Sequence, residues 1–134
     1  MLGHLLRSCS MNRDMNLARE ILVWAIEQPH GYVDGNPEIP GHTEEEVAYH
    51  VYLLRQAGLV DAAVRNVTGL PSPNAILNSV TWSGHDFADA ARDDGIWKKA
   101  TRTVLKEGAS FTFDLLKYWL RNEAQQRLGL PLGL

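Results

Sequence analysis

Apolar positions recur with a helical period most clearly between Thr43 and Leu59, TEEEVAYHVYLLRQAGL. Val47, Val51 and Leu54 fall at i, i+4 and i+7, with Ala48 and Leu53 beside them, which lines one face of a helix. Both ends carry boundary signals. Thr43 and Glu46 stand in the S/T-x-x-E relation of a capping box, and Glu44 and Glu45 suit the positive end of the helix dipole. Gly58 fits the left-handed residue after a helix, with Leu59 folding back onto the last turn. The pattern predicts a helix of about 14 residues.

The flanking pattern predicts a helix–loop–helix–strand–strand–helix–helix–helix order. Leu17, Ile21, Trp24 and Ala25 follow helical spacing, so a first helix is expected over about 13–28, capped by Asn12 and stopped by Pro29 and Gly31. PHGYVDGNPEIPGH, from Pro29 to His42, is a Gly- and Pro-rich loop with no room for a normal helix. A short extended piece is expected near Tyr32–Val33 or Glu38–Ile39. Val60 to Val67 alternates and reads as a strand, TGLPSPN as a turn, and Ala75 to Trp82 as a second strand. Ile76, Val80 and Trp82 form the period-2 set of that second strand. The two strands make a hairpin with a long tip. Ser83 and Asp86 suggest another capping box, followed by Phe87, Ala90 and Ala91 on a narrow apolar face. Asp93-Asp94-Gly95 breaks that helix, and Ile96, Ala100, Thr103 and Val104 define the next, ended by Gly108. Thr112 caps a last helix with Leu116, Trp119 and Leu120 inward, closed by Gly129 and Pro131. The expected fold class is mostly α with a β-hairpin wing: a winged helix-turn-helix-like domain with additional C-terminal helices.

Composition narrows the possibilities. The 134 residues amount to about one domain, and 45% hydrophobic residues can supply a core. Residues 1–10 are poorly patterned and are expected to be a disordered or non-native leader, with Met11 as a plausible start and 11–134 as a single domain. A net charge of −3 argues against broad basic contact with nucleic acid. Cys9 is the single cysteine, so no internal disulfide forms, which fits a cytoplasmic setting. No apolar run approaches the roughly 20 residues that span a bilayer, and no signal peptide is visible.

Several stretches together resemble one family. NRDMNLAREIL is similar to its N-terminal helix, TEEEVAYHVYLLRQAGLVDA to its central helix, and VTWSGHDFADAARDDGIWKKA to its second wing strand and following helices. On these segments, over about residues 11–115, the chain resembles the domain-of-unknown-function family 2513, found in bacteria and prophages. The resemblance implies a winged-helix-like fold and no transferable activity.

Several side chains have both a possible site role and a structural one. A helix-turn-helix reads bases from the N-terminal residues of its second helix. Here those residues are Glu44, Glu45 and Glu46, and no preceding helix is present to cross the backbone. Candidate macromolecule contacts are Tyr49, His50, Tyr52, Arg55 and Gln56 on the helix, Arg65 and Asn66 on the wing, and Trp97. Trp97 is the tryptophan chosen for partial exposure; Trp24, Trp82 and Trp119 are assigned to the core. His42, Glu46 and His50, spaced by four, form a poor metal set, because zinc prefers a closed shell of His and Cys. His85 with Asp86 or Asp89 lacks a nucleophile and fits a packing role. No enzymatic activity, cofactor or metal is expected. The expected function is a macromolecular interaction module of bacterial or prophage origin, with a protein partner favoured over DNA. An inhibitor of host defence encoded by a phage is its special case, and a DNA-binding winged-helix regulator the alternative. A homodimer through the C-terminal helix is a further expectation.

Overall fold

The computed structural model describes residues 11–65, 68–105 and 112–128. Its helices are α1 (Met15–Ile26), α2 (Glu44–Gln56), α3 (Trp82–Ala91), α4 (Asp94–Thr103) and α5 (Phe113–Leu128); its strands are β1 (Val60–Arg65) and β2 (Asn74–Val80). The protein is therefore mostly helical with one β-hairpin. The chain divides into two compact units, 1–84 and 85–134, with the boundary inside α3. The leader 1–10, Asn66, and the expected stops at Gly108, Gly129 and Pro131 lie outside the described residues.

In the first unit, α2 is held at both ends as its sequence predicts. Thr43 Oγ1 accepts from the Glu46 N–H at 3.1 Å, and the Glu46 carboxylate accepts from the Thr43 N–H at 2.9 Å. At the other end Gly58 has φ 77°. Leu59 N–H donates to Leu54 C=O and Gly58 N–H to Arg55 C=O, each at 3.0 Å, which completes a Schellman motif. Val47, Ala48, Val51 and Leu54 are buried, and α2 packs against both strands and α1. The cap of α1 is Asp14, not Asn12: its carboxylate accepts from the N–H groups of Asn16 and Leu17, two and three residues on. That reach defines an N-cap, so the helix starts two residues later than expected. Ala18, Ile21, Leu22 and Ala25 form its buried stripe.

β1 and β2 are antiparallel, with Val60, Ala62, Ala75 and Leu77 buried. Asp61 faces Ser79 while Ala62 faces Leu77, so Asn78 is an extra, unpaired residue. This bulge changes the alternation partway along β2. The inward set is consequently Ala75 and Leu77, and Ile76, expected inside, is 37% exposed. Trp82 is also displaced from its expected place: it opens α3 instead of closing β2, and is 85% exposed.

The 29–42 loop holds no helix or strand, yet it covers the outer edge of β2. Asn36 Nδ2 donates to Ala75 C=O, Asn36 Oδ1 accepts from Leu77 N–H, and Val33 N–H donates to the bulged Asn78 C=O, each at 2.9 Å. One side-chain amide thus does what a neighbouring strand would do for two residues of the ladder.

The turn from β2 into α3 is organised by Thr81, not Ser83. Thr81 N–H donates to Leu59 C=O, its hydroxyl donates to Gly58 C=O at 2.6 Å, and the same oxygen accepts from Gly84 N–H at 3.1 Å. Gly84 lies against the Leu59 carbonyl, where a Cβ would collide with that oxygen and approach Val80 Cγ1 to 2.6 Å.

The second unit begins at His85. Asp93 does not merely break the chain: it caps α4, accepting from Ile96 N–H at 2.9 Å. Thr112 Oγ1 accepts from Leu115 N–H at the start of α5. Phe87, Ala88, Ala91, Ile96, Trp97, Ala100, Leu116 and Leu120 are buried. Phe87 meets Trp97 edge-on at 6.5 Å and Phe113 at 5.2 Å between ring centroids. Trp119 is half-buried. Lys99 Nζ bonds both Glu123 oxygens, at 3.1 and 3.2 Å, joining α4 to α5.

Candidate macromolecule interface

The face of α2 opposite Val47, Val51 and Leu54 carries Glu45, Tyr49, Tyr52 and Gln56, at i, i+4, i+7 and i+11. The 3.6-residue period stacks these side chains along one line. Tyr49 and Tyr52 are half-buried, with near-parallel rings 6.3 Å apart and 17° between planes. Gln56 Nε2 donates to Tyr52 Oη at 3.2 Å. At the other end, Ser72 of the hairpin tip donates to Glu45 Oε2 at 2.7 Å, so the tip is tied to the start of this face. The sequence marks Glu45 for its place in the first turn but not for a contact with Ser72, because their meeting depends on the conformation of the tip.

The three glutamates have different surroundings. Glu44 and Glu45 are exposed, whereas Glu46 turns back into its capping box. The hydrogen bond from Thr43 N–H lowers the Glu46 carboxyl below its ordinary value; partial burial opposes this, and His42, with Nδ1 at 3.5 Å, reinforces it. Beside this end, the 37–44 segment and Val47 border an open groove of about 380 Å³, with Glu38 and Glu44 among its walls.

Not every expected contact lies on this surface. Arg55 is exposed on the flank of α2, and Arg65 is exposed on β1. His50 is a correction: it is 2% exposed and turned into the fold. Its Nδ1 bonds Glu46 C=O, and its Nε2 accepts from Asp14 N–H, both at 2.8 Å. The carbonyl can only accept and the amide can only donate, so the imidazole is neutral with its proton on Nδ1. His50 thereby ties the cap of α1 to α2, and its ring meets Tyr49 edge-on at 5.9 Å. The signal was present, since His50 falls on the same stripe as Val47, Val51 and Leu54. With both His50 nitrogens engaged inside the fold, His42, Glu46 and His50 do not converge as ligands. Trp97 is the second correction: it is 4% exposed, because the Asp93 cap places it on the inner face of α4. His85, Asp86 and Asp89 are exposed.

Relatives place the chain in a family. Residues 12–110 match the family described as hypothetical protein (DUF2513), and the chain belongs to that family. A Haemophilus influenzae protein described as uncharacterized is 30% identical over 108 residues, covering 80% of this chain and 90% of that protein. No solved structure matches. No helix among the described residues is long and apolar enough to cross a membrane.

Proposed function

We propose that this protein is a non-enzymatic interaction module that binds a protein partner through the solvent face of α2. The observation that carries this reading is the pairing of stacked Tyr49 and Tyr52 with the exposed carboxylates of Glu44 and Glu45 on one helix. In a winged-helix arrangement this is the helix that would enter the major groove, and its leading end would meet phosphates with like charge. Tyrosines fixed by neighbours supply broad contact area at low entropic cost, and are enriched at protein interfaces. Acidic side chains around them favour a basic partner surface and repel unsuitable ones. An origin in bacteria or their prophages and a cytoplasmic site of action accompany this proposal, and inhibition of a host defence protein is its special case. Exposed Arg55 and Arg65 support the second reading, a DNA-binding regulator.

Capture from a lysate of the native host tests the proposal. The wild-type chain should retain a specific protein that the folded Tyr49→Ala/Tyr52→Ala variant loses. Equal retention by both, or retention only of nuclease-sensitive material, would contradict it.

A further inference from the structure

We propose that the free edge of β1 pairs with β1 of a second copy of this chain, antiparallel and centred on Ala63. The direction of the edge follows from Asn36. That side chain bonds Ala75 C=O and Leu77 N–H, so the main-chain groups of both residues point away from β1. Residues opposite each other in an antiparallel ladder either both bond across it or both point away. Val64 stands opposite Ala75 and Ala62 opposite Leu77. Ala62 and Val64 therefore direct their N–H and C=O groups away from β2. Nothing among the described residues bonds them there. The β2 edge is covered by the loop, whereas no described residue bonds the β1 edge, which leaves it a template for another strand.

The side chains select the second copy and its register. Asp61, Ala63 and Arg65 share the exposed face of β1, and neither Asp61 nor Arg65 has an ion partner among the described residues. Placing Ala63 opposite its symmetry mate puts Ala62 opposite Val64 on both sides of the dyad, giving four N–H···O bonds. Asp61 then stands directly opposite Arg65, twice, at non-hydrogen-bonded positions where side chains approach most closely. Centring instead on Ala62 sets Asp61 against Ala63, and centring on Val64 sets Arg65 against Ala63, so both lose the charge pairs. Ile76 is the Cα partner of Ala63 on the hairpin and is exposed on the same face. The pairing would align Ile76, Ala63, Ala63 and Ile76 in one apolar row across a four-stranded sheet, covering a side chain otherwise left in water.

Sedimentation equilibrium of the full chain tests this. Wild type should show a reversible monomer–dimer equilibrium. Asp61→Arg and Arg65→Asp should each weaken it by about tenfold or more, because they replace two attractive pairs by two repulsive ones. The double variant Asp61→Arg/Arg65→Asp should restore it. Asp61→Asn serves if either reversal fails to fold, with a smaller loss expected. Hydrogen exchange supplies a second readout: the Ala62 and Val64 amides should gain protection as protein concentration rises. A chain that stays monomeric up to about 1 mM would overturn the proposal. So would a dimer indifferent to Asp61→Arg and Arg65→Asp alike, as a contact through exposed Leu115 and Tyr118 of α5 would be.

Discussion

His50 shows how one buried polar side chain can fix two elements. Its neutral ring accepts from the cap of α1 while it donates within α2. His50→Leu keeps the bulk but leaves the Asp14 N–H without its acceptor. The expected loss is about 1–3 kcal/mol of unfolding free energy, the usual cost of an unmet buried donor. Urea denaturation checks this; an unchanged midpoint would show that the bond contributes nothing. Glu46 gives a pH-dependent counterpart. Its carboxyl is lowered in the fold, first by the Thr43 N–H, so its ionised form is favoured by folding. The stability it contributes is present above its unfolded value and is lost as pH falls through the folded one. Glu46→Gln retains a capping acceptor without that titration. The variant should therefore lose less stability than wild type when pH is taken from 7 to below the carboxylate range, followed by chemical denaturation. Identical slopes would contradict the assignment.

At the scale of elements, legibility followed the range of the interactions. The ends of α2 were readable because Thr43, Glu46, Gly58 and Leu59 act on neighbours within six residues. The buried stripe of α2 was readable for the same reason, and Leu54→Ala should cost about 2–5 kcal/mol through the cavity it leaves. A calorimetric scan showing no shift would place Leu54 outside the core. The phase of β2 was not readable, because Asn78 is bulged and held by Val33, far away in sequence. Period-2 reading placed Ile76 inside, and one extra residue put it outside. The role of Thr81 was hidden similarly, since its partners Gly58 and Leu59 lie more than 20 residues earlier. Gly84 belongs to that junction. Gly84→Ala, normally favourable within a helix, should destabilise by about 1–3 kcal/mol because the methyl meets the Leu59 carbonyl. A rise in melting temperature would show that the junction can yield.

For the molecule as a whole, charge is unevenly divided. Residues 1–84 hold nine Asp and Glu against five Lys and Arg, while 85–134 hold seven against eight. The acidic excess thus lies in the unit that presents α2. Of the contacts expected from sequence, Tyr49, Tyr52 and Gln56 come together on one face, while Arg55 flanks it. His50 and Trp97 face inward because helical phase, not residue type, decides which way a side chain points. The protein partner we propose rests on this face, and duplex DNA is the competing reading.

Titration of duplex DNA from the protein's own gene neighbourhood, at about 0.15 M salt, tests that claim most directly, because DNA contacts release counterions and fall steeply with salt. No specific shift is expected, and no change on Arg55→Ala or Arg65→Ala. Specific binding at about 10⁻⁸ M or tighter, weakened by both substitutions, would contradict it and establish the DNA-binding reading.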